Sequence, residues 1–264
     1  MNSTKVKEHI IKWLKNYVNH SKTKGFVIGV SGGIDSAVTS TLGAATGLPL
    51  LCVEMPIYQE KKQVDRAQKH IRFLKENYPN VNSVETELTN VFDTFLAALP
   101  DVPNDEKRKM SLVNTRARLR MTTLYYFAAL NNYLVLGTGN KVEDFGVGFY
   151  TKYGDGGVDI SPIADLVKTE VYELGKILNI DENIMTAPPT DGLWGDDRTD
   201  EDQIGASYPE LEWAMETAEK GIVDFTAFTP RQQEVFNIYT RLNAINQHKM
   251  QPIPVCIVPD EFKK

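Results

Sequence analysis

Two loops in this chain carry residue types that could hold a metal and a phosphate together. The first, Gly29-Val30-Ser31-Gly32-Gly33-Ile34-Asp35-Ser36, follows apolar Phe26-Val27-Ile28 and precedes a helix-compatible run from Ala37 to Ala45. Without Cβ atoms, Gly32 and Gly33 let backbone N–H groups approach a ligand, and the start of the next helix adds unpaired donors and a positive dipole end. That is a phosphate cradle, to which Ser31 and Ser36 can add hydroxyls. Asp35 would repel bare phosphate, so its presence predicts a bridging Mg²⁺. The second loop offers Thr138 and, five residues on, Glu143, which with Asp35 would give Mg²⁺ two carboxylates. Taken alone, Glu143 also reads as an exposed loop residue, and Thr138 as closing a turn rather than bonding the adenosine part of a nucleotide. Neither G-x-x-x-x-G-K-[ST] nor G-x-G-x-x-G occurs, so any nucleotide is held in another way.

Further charged residues are less specific by themselves. Arg116 and Arg120 are four apart on a helix and share a face, whereas Arg118 points elsewhere, which suits two ligands, or one ligand and a neighbouring subunit. Lys168 opens a helix, where the dipole disfavours a cation, so an anionic partner is expected. His248-Lys249 reads as a solvated basic pair on a polar tail. Only Cys52 and Cys256 are present, too few and too far apart for a zinc ribbon or a redox pair, and both are expected to be inert.

The elements that must position these residues alternate between strand and helix. An amphipathic helix with Val6, Ile10, Trp13, Leu14 and Tyr17 on one face, behind a Ser3 or Thr4 cap, opens the chain. Strands are expected at Phe26–Ile28, Leu50–Met55, Val84–Leu88 and Tyr133–Leu136, with helices over Gln59–Tyr78, to about Pro100, and over about Leu112–Leu130. Asp101–Lys109 reads as a surface loop. This pattern predicts an α/β fold: a doubly wound, mostly parallel sheet flanked by helices. If the third crossover returns the fourth strand beside the first, the two Gly-bearing loops face each other at a switch point, where ligands bind. Beyond Glu143, Thr151 to Asp159 is expected to be a shaped loop. Val167–Leu178, Pro209–Lys220 and Pro230–Asn246 are expected helices, separated by a long loop through Pro188, Pro189, Asp191 and Gly192 to Thr199. Residues 1–264 read as one domain, with no repeat or low-complexity linker.

Composition narrows the function classes. Hydrophobic residues at 42% and charged residues at 24% suit a globular protein, and no apolar run reaches a membrane span. The net charge of −6 argues against wrapping nucleic acid, which needs a basic stripe. The amino terminus lacks the apolar core of a signal peptide, so a cytoplasmic location is expected, with no membrane and no nucleic-acid partner.

The Ser31-Gly32-Gly33-Ile34-Asp35-Ser36 loop resembles the S-G-G-x-D-S loop of the ATP pyrophosphatase superfamily, whose fold is adenine nucleotide alpha hydrolase-like. Other motifs follow in the order of one branch, ammonia-dependent NAD synthetase. They are Ala117-Arg118-Leu119-Arg120-Met121, Leu136-Gly137-Thr138 with Glu143, Thr151 to Asp159, Pro189-Thr190, Leu193-Trp194, Thr199-Asp200-Glu201 and His248-Lys249. The resemblance implies ATP-dependent amidation of deamido-NAD (nicotinic acid adenine dinucleotide) by ammonia, through an acyl adenylate, in a homodimer whose substrate site lies near the subunit boundary. It further implies that Gly29, Val30, Ser31, Gly32, Gly33, Ile34, Asp35 and Ser36 hold the ATP phosphates. Asp35 and Glu143 would hold Mg²⁺, and Thr138, Lys168 and Thr190 would contact ATP. Arg118, Lys152, Asp159, His248 and Lys249 would hold the dinucleotide. Asp35, Lys168 and Asp159 are the implied catalytic residues. Two departures stand out: the stretch from Glu143 to Lys152 is one residue longer than in some members, and Gly139 and Val142 stand where many members have Ser. The rival enzymes, xanthylate-aminating or tRNA-modifying, lack support, because no catalytic cysteine or basic surface is visible. A non-catalytic nucleotide sensor would not need the Asp35 and Glu143 pair.

Overall fold

A computed structural model describes residues 1–190, 192, 198–221 and 225–263. Asp191 and Leu193-Trp194, singled out above, lie outside the described residues. Four parallel strands, β1 (Gly25–Gly29), β2 (Leu50–Glu54), β3 (Val81–Glu85) and β4 (Tyr133–Val135), form one sheet in the order β3-β2-β1-β4. The return of β4 to the side of β1 is therefore borne out, and the loops after these two strands share one end of the sheet. Phe26 pairs with Leu50 on one side and Leu134 on the other, and Leu136 extends β4 through a bridge to Ile160.

Helices cover both faces because the strands are apolar on both. Alternation along β1 sends Phe26 and Ile28 to one side, where they pack with α1 (Ser3–Ser21), α2 (Ile34–Ala45), α3 (Lys61–Asn77) and α6 (Lys168–Ile177). Val27 turns to the other side, with Val53 and Val135, beneath α4 (Thr89–Ala97) and α5 (Glu106–Asn131). A separate apolar cluster joins α9 (Tyr208–Glu219) and α10 (Pro230–Met250) to Val142 and Val147; α7 (Glu182–Met185) and α8 (Asp200–Ile204) are short. Among the described residues no helix is long and apolar enough to cross a membrane.

Several boundaries differ from expectation for local reasons. The third strand runs over Val81–Glu85, not Val84–Leu88: it ends where Glu54 ends its partner, and the Leu88 N–H turns to the Pro56 carbonyl at 3.0 Å. Helix α5 starts at Glu106, six residues before Leu112, because the Asp105 carboxylate accepts from the Arg108 N–H at 2.9 Å and caps it. The Asp101–Lys109 surface loop is correspondingly shorter. Asn2, not Ser3 or Thr4, caps α1. Helix α10 continues through His248-Lys249 to Met250, so that pair lies on a last helical turn and not on a tail. Gln251 is extended, as suits the residue before Pro252.

Candidate active site

The loop after β1 is shaped by glycine and serine in different ways. Gly32 has φ +82°, and a Cβ there would lie 2.7 Å from the Gln63 carbonyl oxygen, so α3 packs where a side chain would be. The Arg66 Nε donates to the Gly32 carbonyl at 3.2 Å, tying the loop to α3. Gly33 caps α2 with no side-chain bond, so the helix start keeps free donors. The Ser36 hydroxyl donates to the Gly33 carbonyl at 3.0 Å and accepts from the Ser31 N–H at 3.2 Å, which closes the turn.

Opposite this turn sits a buried charge cluster. Lys168, only 3% exposed, brings Nζ to 2.5 Å from Asp35 Oδ2 and 3.1 Å from Glu143 Oε1. Its placement at the first position of α6, adverse against the helix dipole, is thus explained by two anions. The same ammonium lies 4.6 Å from the centre of the Tyr208 ring. Tyr208 donates its hydroxyl to Glu143 Oε1 at 2.5 Å and to Asp200 Oδ2 at 3.3 Å, while Asn140 Nδ2 donates to Asp35 Oδ1 at 3.2 Å. Burial opposes the Lys168 charge, but Asp35 and then Glu143 more than offset it and hold the ammonium above its ordinary pKa. Burial pushes the Asp35 carboxyl up, against the pull of Lys168. Burial, then Glu143 and Asp200, raise the Tyr208 phenol, which stays a donor.

A cleft of about 290 Å³ opens over these groups. Every residue of the first loop except Gly32 lines it, together with Thr138, Glu143, Lys168 and Thr190. The residues expected to hold the dinucleotide lie beside it instead. Arg118 donates to the Lys152 carbonyl at 3.2 Å, the Lys152 ammonium donates to the His248 carbonyl, and Lys249 donates to the carbonyls of Gly148 and Tyr150 at 2.7 and 2.8 Å. Asp159 accepts from Tyr125 at 3.0 Å and from the Val135 N–H at 2.8 Å, so both its oxygens are used within the protein. Arg116 lies over the Phe92 ring at 5.1 Å, and Arg120 donates to the Met55 carbonyl at 3.0 Å, both away from Arg118 as the helical spacing implies.

Val142–Val147 forms a π-turn, which sequence reading did not anticipate. It carries Asp144 against Gly139, where a Cβ would lie 2.2 Å from the Asp144 carboxylate; glycine at 139 accommodates that acid. Val142 is fully buried in the α9–α10 cluster, which explains an apolar residue there. Burial, then Glu143, Asp155 and Asp35, push Asp144 up to about 8.

Three residues of the cluster escaped sequence reading. Asp200 stands within a motif and Asn140 between Thr138 and Glu143, but neither had an assigned role, and Tyr208, which joins Glu143 across 65 positions of sequence, carries no local signal. Cys52 is buried and Cys256 exposed. Among the described residues, no group of three or more His, Cys, Asp or Glu is placed to hold a metal alone. Asp35 and Glu143 nevertheless suit Mg²⁺, which takes one or two carboxylates and completes its shell with phosphate oxygens and water. Both present hard oxygen donors at the rim of the same cleft.

The NAD synthase family profile matches residues 6–253. An NH(3)-dependent NAD(+) synthetase from Syntrophomonas wolfei is 36% identical over 267 residues, covering all of both chains. Among solved structures, the NMN synthetase from Francisella tularensis superposes with a TM-score of 0.81 at 30% identity, covering 98% of this chain and 99% of that one. The NH3-dependent NAD synthetase from Campylobacter jejuni, in complex with nitrate, gives 0.78 at 27% identity over 97% and 100%. With the S-G-G-x-D-S loop, the facing Glu143 and the β1–β4 switch point all present in one cleft, this chain belongs to the NAD synthase family.

Proposed function

We propose that the chain is a carbon–nitrogen ligase that amidates deamido-NAD with ammonia at the expense of ATP, forming NAD, AMP and pyrophosphate, the last step of NAD biosynthesis. The observation that carries this reading is the pairing of Asp35, from the phosphate-cradling turn, with Glu143, from the facing loop, through buried Lys168. In the first step a nicotinate carboxylate oxygen bonds the α-phosphorus, the bond to the bridging oxygen breaks, and pyrophosphate leaves with its electron pair. Ammonia then attacks the acyl carbon, a proton is lost, and AMP departs. The loop from Gly29 to Ser36 holds the phosphates, with the N–H groups of Ile34, Asp35 and Ser36 in the uncapped first turn of α2 as donors, and the Lys168 ammonium meets the charge growing on the leaving group. Asp35 and Glu143 would hold Mg²⁺, which when bound neutralises phosphate charge. Thr138 and Thr190 contact ATP from the cleft wall. Arg118, Lys152, His248 and Lys249 hold the dinucleotide beside the cleft. Asp159 joins them by exchanging the Tyr125 hydroxyl for a substrate group.

Residues 1–264 act as one cytoplasmic domain that pairs as a homodimer. Support for pairing comes from α5, which leaves Tyr126 63% and Leu130 66% exposed on the helix that carries Arg118. A second reading, amidation of the mononucleotide acid, is favoured by the likeness to the Francisella NMN synthetase. Purified protein with ATP, Mg²⁺ and ammonium, offered each acid separately, separates the two. Deamido-NAD is expected to give NAD with AMP and pyrophosphate. A higher kcat/KM for nicotinate mononucleotide would select the second reading, and ADP production would overturn both.

A further inference from the structure

Glu54 ends β2 with a charge that the fold does not use. It is 6% exposed, and its Oε1 has no hydrogen-bond partner, although Gln68 bonds the same carboxylate. Its neighbour in register on β3 is Glu85, a like charge. Burial, then Glu85, push its pKa up. A glutamine would serve Gln68 as well at lower cost, since an unpaired buried acceptor is destabilising. What favours a carboxylate must come from outside the chain.

The position of Glu54 indicates the ligand. Gly29 pairs with Val53, and the Val30 N–H donates to the Val53 carbonyl at 3.0 Å, so Glu54 stands level with the phosphate turn on the adjacent strand. It lines the same cleft. The β4 side of the turn is occupied by Glu143, Lys168 and Thr138, where the acid to be amidated must reach the α-phosphate. That leaves the β2 side, where Met55, Pro56 and Val64 line the cleft, for the nucleoside of ATP. In the dinucleotide-binding version of the doubly wound sheet, an acid about 20 residues beyond the glycine turn accepts from a ribose hydroxyl. Glu54 stands at that point of the layout, although the chain lacks the dinucleotide fingerprint.

We propose that Glu54 reads the ribose of the bound nucleotide, its carboxylate accepting a hydrogen bond from the 2′- or 3′-hydroxyl. The proposal rests on the ATP-dependent reading above and adds a specificity-determining residue to it. Isothermal titration of wild type, Glu54→Gln and Glu54→Leu with ATP, 2′-deoxy-ATP and 3′-deoxy-ATP tests it. Wild type is expected to bind one deoxy analogue roughly tenfold more weakly than ATP, the loss of one charge-assisted hydrogen bond. Glu54→Leu should bind ATP as weakly as wild type binds that analogue, and no longer tell the two apart, with Glu54→Gln in between. If wild type binds both analogues as tightly as ATP, or if the variants keep the full penalty, the proposal is overturned. The wild-type series stands even where a variant fails to fold. NAD formation without ribose discrimination would remove Glu54 alone, whereas ribose discrimination without amidation of either acid would remove the proposed reaction and keep Glu54.

Discussion

Replacing Lys168 with methionine keeps most of the side-chain volume and removes the charge between Asp35 and Glu143. At an effective dielectric of about 20, unit charges 2.5 and 3.1 Å apart attract by about 7 and 5 kcal/mol respectively. Desolvation of the three buried groups offsets most of that, and removal of one partner from a buried pair leaves a net loss of about 3–5 kcal/mol. At roughly 2–4 °C per kcal/mol for a chain of this size, the melting temperature should fall by about 10 °C at neutral pH. The loss carries a pH signature. Asp35, already raised by burial, loses the pull of Lys168 and rises further, whereas the unfolded carboxyl titrates near 4. Between those values the folded variant holds more protons than the unfolded chain, so its stability falls as pH rises. Scanning fluorimetry from pH 5 to 8 should therefore show the gap to wild type shrinking on acidification. A loss below about 1 kcal/mol, or a gap that does not change over that range, would refute the reasoning that Lys168 balances the two acids.

Tyr208→Phe removes the hydroxyl that donates to Glu143 and Asp200; it should cost about 1.5–3 kcal/mol, the worth of a hydrogen bond to a charged acceptor, and lower kcat more than it raises KM, as steady-state kinetics would reveal. Gly139→Ala should destabilise by about 1–3 kcal/mol through its clash with Asp144, and a second change, Asp144→Ala, should recover most of the loss; additive effects in denaturant melts would contradict that geometry. Burial lowers His70, which lies 2.9 Å from the Ser40 hydroxyl, from 6.5 to about 4. The unfolded imidazole therefore binds its proton first, and stability should drop by up to about 3 kcal/mol as pH falls from 6.5 towards 4. His70→Leu should flatten that part of the stability profile, and an unchanged slope would assign the acid sensitivity to other groups.

The strand and helix alternation was legible from two glycine-bearing loops that follow apolar strands, but their side-by-side placement was legible only on the condition that the fourth strand returns beside the first, as it does. Asp35 was legible as an acid misplaced in a phosphate turn, and Lys168 as a cation at the adverse end of a helix. Both anomalies resolve in one ion-paired cluster. Tyr208 was not legible, because its contact with Glu143 depends on how α9 packs against the π-turn and not on nearby residues. Helix ends failed where a single cap decides them: Asp105 starts α5 and the residue before Pro252 stops α10. The roles expected of Arg118, Lys152 and His248 rest on likeness, since their contacts within the chain run to backbone carbonyls that a ligand would displace.

The widened turn at Val142–Val147 also ties the acid of the second loop to the far end of the chain. Gly148, in the left-handed conformation, closes it, and the Phe149 N–H returns to the Glu143 carbonyl at 3.0 Å. Because Val142 and Val147 are anchored in the apolar cluster of α9 and α10, the carboxylate of Glu143 between them is held by the packing of the carboxy-terminal helices.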